Sequence, residues 1–346
     1  MKKKYFLTKI MLAIFLCTTS TLFAADGYWI DTDYYTEAHP VVRQWSDPSM
    51  WSDGTVAGGS GYTAYLTNGI DASDAAKGIQ LSGESISHIV VAFDNNDPSS
   101  YYVLVGDTLT LLGTPTIEVS EQSNCAGLVI GYPGFGGSID GTEGFTKNGP
   151  GRLFFEQPCP NLSGTINVNS GVLLITDPDG IQNADVVVND TGILALDGRD
   201  EINNIKTVTV NNGGNMQWTS SNIGTLYSGN ILFQAGGTYN WRVNSTVADL
   251  IDISGTFTIP AGGMTINVLS SGSPDYNTYT IAKTSDGVVG DANNITMSYD
   301  AGADGPVHPI INGDNIEITF IPEPLTFGFI STISLVFLCR NKFSSR

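Results

Sequence analysis

The sequence predicts an all-β fold built as a solenoid, and three observations predict it: a glycine-led repeat, a second set of β-prone runs between the glycines, and dense turn signals. A glycine precedes a short β-prone run at Gly127-Leu-Val-Ile, Gly151-Arg-Leu-Phe-Phe, Gly171-Val-Leu-Leu-Ile and Gly192-Ile-Leu-Ala-Leu. Gly214-Asn-Met-Gln-Trp, Gly237-Thr-Tyr-Asn-Trp and Gly263-Met-Thr-Ile-Asn-Val continue the series at a near-constant interval. Gly106-Asp-Thr-Leu-Thr-Leu, one such interval before Gly127, reads as an earlier copy. Between these runs lie Thr165-Ile-Asn-Val, Asp185-Val-Val-Val, Thr207-Val-Thr-Val and Asn230-Ile-Leu-Phe. Asn-Gly, Asp-Gly and Gly-Gly pairs punctuate them, and each favours a turn because glycine tolerates positive φ.

A repeating unit of roughly 20–26 residues, with short strands and no helical periodicity, is the pattern of a β-solenoid. Alternation sends Leu, Val and Ile inward and leaves Thr, Asn and Asp outward. One turn of chain cannot bury its own apolar face, so the units must stack; eight of them at about 4.8 Å each make a rod of roughly 40 Å. The competing architecture is a β-sandwich or jelly roll, since strands recurring every ~8–12 residues fit that as well. The repeats occupy 100–270, and 271–321 reads as terminal β segments. Residues 26–99 are less periodic and read as an N-terminal β cap, in which Trp29, Trp45 and Trp51 either close the open end of the core or form a carbohydrate-stacking platform.

Both ends carry addresses. Lys2, Lys3, Lys4 and Lys9, the apolar stretch Ile10 to Leu16 and the small Ala24 and Ala25 form a secretory signal peptide over 1–25, with cleavage at the two alanines. At the other end, over 322–346, Pro322-Glu323-Pro324 precedes an apolar run from Leu325 to Cys339 and the basic residues Arg340, Lys342 and Arg346. The prolines cannot sit inside a helix, so they separate the body from the apolar segment. As a transmembrane helix, 325–339 would be roughly 22 Å long against about 30 Å of hydrocarbon, a gap that bilayer thinning and snorkelling can close. The basic end agrees with the positive-inside rule. This order of breaker, apolar helix and basic stop resembles the PEP-CTERM sorting signal of Gram-negative bacteria. The resemblance implies an exosortase-type enzyme as partner, transient anchoring in the inner membrane, and delivery to the outer envelope, cell surface or exterior.

A second resemblance lies in the body. Glu143-Gly-Phe-Thr-Lys-Asn-Gly-Pro-Gly-Arg-Leu-Phe-Phe, followed by Leu162-Ser-Gly-Thr-Ile-Asn-Val-Asn-Ser-Gly-Val-Leu-Leu-Ile, is similar to the autotransporter-associated β-strand repeat. Ala248-Asp-Leu-Ile-Asp-Ile-Ser-Gly-Thr-Phe-Thr-Ile resembles the terminal segments of the same passenger-like proteins. The resemblance spans about 100–300 and implies a right-handed parallel β-helix. The many-stranded C-terminal barrel of an autotransporter is not expected in the short stretch after the body.

From Asp26 to Glu323, eight basic residues face all 34 acidic ones, a net charge of about −26. That opposes binding to nucleic acid, whose phosphates need a basic face. It favours solubility and cationic partners. Cys125 and Cys159 are the two cysteines outside the addresses; after export they could pair as a disulfide or stay as separate thiols.

Catalysis on polysaccharide needs paired carboxylates, or carboxylates grouped around Ca²⁺. Asp197-Gly-Arg-Asp-Glu201 is the best local group, against the simpler reading of a charged solvent turn. Asp249 and Asp252 read as a strand's polar face, and Asp177-Pro-Asp-Gly180 as a turn. His39, His88 and His308 stand apart and form no zinc pattern. Gly131-Tyr-Pro-Gly-Phe-Gly-Gly137 lacks the ending that cradles phosphate and reads as a corner. The sequence therefore assigns no catalytic or metal residue and no cofactor beyond weak Ca²⁺ binding at acidic turns. The expected role is structural or adhesive, within extracellular polysaccharide. A polysaccharide lyase or hydrolase using Asp197 and Asp200, and a glycan-binding module using the tryptophans, are the alternatives.

Overall fold

The computed structural model describes residues 24–30, 42–67, 76–93, 101–120, 127–197, 202–219, 222–270, 277–299 and 308–320. Pro322, Glu323, Pro324, the apolar run 325–339, Arg340, Lys342 and Arg346 lie outside the described residues, as do most of the signal peptide, His39, Asp200 and Cys125. The chain is all-β with a parallel core; among the described residues two 3-10 turns, Pro48–Met50 and Ala292–Asn294, interrupt the strands. Among the described residues no helix is long and apolar enough to cross a membrane.

The strands form three parallel columns, and the chain visits them in a fixed order. In the first, Thr63, His88, Thr116, Thr146, Asn167, Val187, Thr209, Leu232, Thr258 and Val289 are successive register partners. In the second, the inward Ile79, Leu104, Ile130, Phe155, Ile175, Leu196 and Trp218 follow one another. The third includes Ile86 against Leu111, Leu109 against Ile139, and Leu226 against Ile251 and then Ala282. Period-two alternation turns most apolar side chains of the three columns onto one continuous core, while Val103, Val105 and Val129 pack as a small separate cluster.

The repeat seen in the sequence is the second column. Gly171 stands opposite Gly192, and the residues after Gly192, Gly214 and Gly237 are partners in turn. At both ends of the series the phase slips by one: Gly127 opposes Arg152, and Thr238 opposes Thr265. Gly171 illustrates why glycine leads. Its φ is +67°, and a Cβ there would lie 2.5 Å from the carbonyl oxygens of Gly149 and Gly151. The intervening runs form the first column in the register their sequences suggest, Thr165 to Asp185 to Thr207 to Asn230.

Two expectations need correcting. Gly106 does not lead a copy of the second column; it ends that column opposite Leu81 and begins the third opposite Gly136. A sandwich or jelly roll would need extensive antiparallel pairing. Among the described strands, apart from single bridges, antiparallel pairing is confined to the last segment. There Asn315–Thr319 runs against Thr278–Thr284 and folds back on Ile310–Asn312 through Gly313.

Outside the core, side-chain amides tie neighbouring layers. Asn169 donates to Asn148 at 3.0 Å, Asn189 to Asn169 at 3.0 Å, and Asn211 to Asn189 at 2.6 Å. A second ladder on the next column joins Asn267 to Asn240 at 2.8 Å and Asn240 to Gln217 at 3.1 Å. Each amide donates one way and accepts the other, so a ladder satisfies itself over any number of layers.

Candidate functional site

Trp29, Trp45 and Trp51 are buried, with ring centroids 5.2 Å apart in both edge-on pairs. Trp51 Nε1–H donates to the carbonyl of Trp45 at 2.7 Å, and Trp45 Nε1–H to that of Ala57 at 2.9 Å. No stacking platform is available from these rings, because their faces are spent on the core at the N-terminal end. Ala25, one of the two predicted cleavage residues, exchanges backbone hydrogen bonds with Gly58 at 3.1 Å, so the expected cut falls at the edge of the folded body. Cys159 is a free, buried thiol that accepts from the Ile139 N–H at 3.4 Å, and burial pushes it up to about 12. Its candidate partner Cys125 lies outside the described residues.

The acidic candidates separate. Asp197 is buried rather than set in a solvent turn, and 198–201 lie outside the described residues. Asp177 accepts from the Asp179 N–H at 2.8 Å, as its turn sequence suggests. Asp252 reaches Lys283 at 3.6 Å on a half-exposed face. Among the described residues, no three His, Cys, Asp or Glu side chains come close enough to hold a metal ion.

Asp249 is not on a polar face. It is fully buried and accepts from Arg242 twice, Nε at 2.8 Å and Nη2 at 2.9 Å, and from the backbone N–H groups of Gly224 and Arg242 at 3.0 Å each. The guanidinium lies 5.6 Å from the centroid of the Trp218 ring and donates to the Asn222 carbonyl. Trp218 Nε1–H donates to the Tyr239 hydroxyl at 3.1 Å, and Trp241 Nε1–H to the Asp249 carbonyl at 2.7 Å. Burial raises the Asp249 carboxyl above its ordinary range, against the pull of Arg242. The cluster pins the corner between the second and third columns.

Lys147, like Asp249, is a fully buried charge. It occupies an inward position between Ile117 and Val168, where neighbouring layers carry aliphatic side chains. Its Nζ donates to the carbonyls of Gly149 at 2.7 Å and of Asn148 and Ser170 at 3.0 Å each. The lysine of the Lys-x-Gly-x-Gly stretch thus ties its own glycine corner to the layer of Ser170. Loss of hydration pushes the ammonium down to about 7, with Glu118 pulling the other way.

Among the described residues, an open groove of about 380 Å³ lies on the outer face of the first column. His88, Thr116, Thr146 and Asn167, one from each of four successive layers, form its floor, with Thr165 beside them. Gly113, Thr114 and Pro115 form one wall; Glu143 and Phe145 line the groove on the next layer's corner. The wall exists because the chain from Leu111 to Thr116 carries Leu112, Gly113, Thr114 and Pro115, where Ser87 alone joins their partners Ile86 and His88. Ser87 anchors this bulge by donating to the Leu112 carbonyl at 2.8 Å while accepting from the Gly61 N–H at 2.7 Å. On the floor, His88 Nδ1 and Thr116 Oγ1 are 2.8 Å apart, which fixes the imidazole.

Sequence reasoning set His88 aside as isolated, because its groove partners sit in other layers and are distant along the chain. The available signal was the surplus of residues before Thr116. The chain matches no protein-family model, and no curated protein matches it.

Proposed function

We propose that this chain is an exported, envelope-sorted surface rod: a right-handed parallel β-helix with a structural and adhesive role in extracellular polysaccharide. The observation that carries the architecture is parallel pairing, layer on layer, in columns that the chain visits in constant order, which a chain winding one layer per repeat produces. Self-satisfying amide ladders on the outside and one apolar core inside support a stiff body. The net charge of −19 on the whole chain supports a well-solvated exterior. The destination rests on the signal peptide and on the resemblance of 322–346 to a sorting signal, with an exosortase-type enzyme as the processing partner.

The test is the C-terminal mass of the mature protein recovered from its native envelope. A chain ending near Pro322-Glu323-Pro324 is expected. A chain still ending at Arg346 would remove sorting by cleavage and leave a membrane-anchored rod.

A further inference from the structure

The groove on the first column deepens this reading by giving the rod a place to hold polysaccharide. We infer that it binds a short stretch of an uncharged polysaccharide laid along the stack, across the strands rather than along them. Its floor offers one polar side chain per layer, His88, Thr116, Thr146 and Asn167, at the roughly 4.8 Å spacing of parallel strands. A ligand matched to that floor is long, repetitive and rich in hydroxyls, since hydroxyl, amide and imidazole groups all exchange hydrogen bonds with hydroxyls.

Charge narrows the class further. Among the described residues, Glu143 is the only carboxylate lining the groove and no lysine or arginine lines it, and the whole chain is strongly acidic. A uronate or sulfated chain would meet repulsion with no counter-charge; a neutral glycan would not. The floor is also held in advance: His88 is bonded to Thr116, and the wall is tied down through Ser87. Little ordering is left to be done on binding.

The inference rests on the polysaccharide-associated role proposed above, and the experiment separates the two. The full chain in mild detergent is run by affinity electrophoresis through gels containing dextran, mixed-linkage β-glucan, galactomannan or polygalacturonate. Retardation by at least one neutral polymer and none by polygalacturonate is expected. Thr146→Arg, which fills the floor, should weaken that retardation roughly tenfold or more through lost hydrogen bonds and blocked access. Thr209→Arg, in the same outward register three layers further on and outside the groove, should leave it unchanged. Matching thermal midpoints for the two variants would show that both fold. Equal retardation of parent and Thr146→Arg would overturn the groove while leaving the polysaccharide role intact. Stronger retardation by polygalacturonate would overturn the neutral class, and no retardation by any polymer would overturn both readings.

Discussion

Lys147 shows what a single residue contributes here and why the sequence conceals it. A lysine between a threonine and an asparagine reads as solvent-facing, yet its position in the alternation points it inward, where two carbonyls of its glycine corner and one of the next layer receive it. Its folded value, about 7, lies below the ordinary 10.5, so between those values the unfolded chain holds a proton that the folded chain releases. Stability therefore rises with pH across that window and is lost as pH falls through about 7. The thermal midpoint of the parent should gain on that of Lys147→Met between about pH 7 and about pH 9.5; a flat or falling difference would contradict this sign. Asp249 is the acidic counterpart, raised by burial, so its contribution is greatest in acid and fades as pH rises through its folded value. Arg242→Met strands that carboxylate and should cost about 3–5 kcal/mol at neutral pH in urea unfolding, and less near pH 4, where the carboxyl can keep its proton.

At the scale of the strand, the amide ladder predicts a graded response. Asn189 is bonded on both sides, to Asn169 and Asn211, whereas Asn148 ends the ladder with one such bond. Asn189→Ala should cost about 1–3 kcal/mol, and Asn148→Ala roughly half as much; equal costs in denaturant unfolding would mean that the ladder is decoration. Strand positions were legible where a local pattern suffices. The alternation at Thr165, Asp185, Thr207 and Asn230 and the leading glycines marked two columns, because both signals are local in the chain. The third column was not legible, since its strands follow a glycine only in some layers, and Gly106 misled because a corner glycine and a leading glycine precede the same kind of run. The groove was hidden for a related reason: its floor is assembled from four layers, and only the surplus residues before Thr116 mark it in sequence.

For the whole molecule, stability in such a stack is a sum over layers and their interfaces. Hydrogen exchange should therefore be slowest in the middle layers, such as 185–196, and faster toward 42–44 and 295–299; uniform protection would indicate all-or-none opening instead. Acidic surface repels itself along the entire length. Raising salt from about 10 mM to about 150 mM shortens the screening distance from about 30 Å to about 8 Å and should raise the thermal midpoint. A fall would mean that ion pairs such as Lys206–Asp185, at 3.2 Å, outweigh the repulsion. The final hairpin bears on something else, the question of where such an object stops. A parallel lattice is extended by translation, since every layer presents the next same-direction row of donors and acceptors. Reversing the chain at Ile310–Thr319 replaces that row, on one column of three, with a ladder of different spacing ending in a three-residue strand. An incoming copy in the same orientation finds its hydrogen-bonding groups out of step there. On that column, then, the polypeptide itself writes an end to the translation that parallel pairing would otherwise invite.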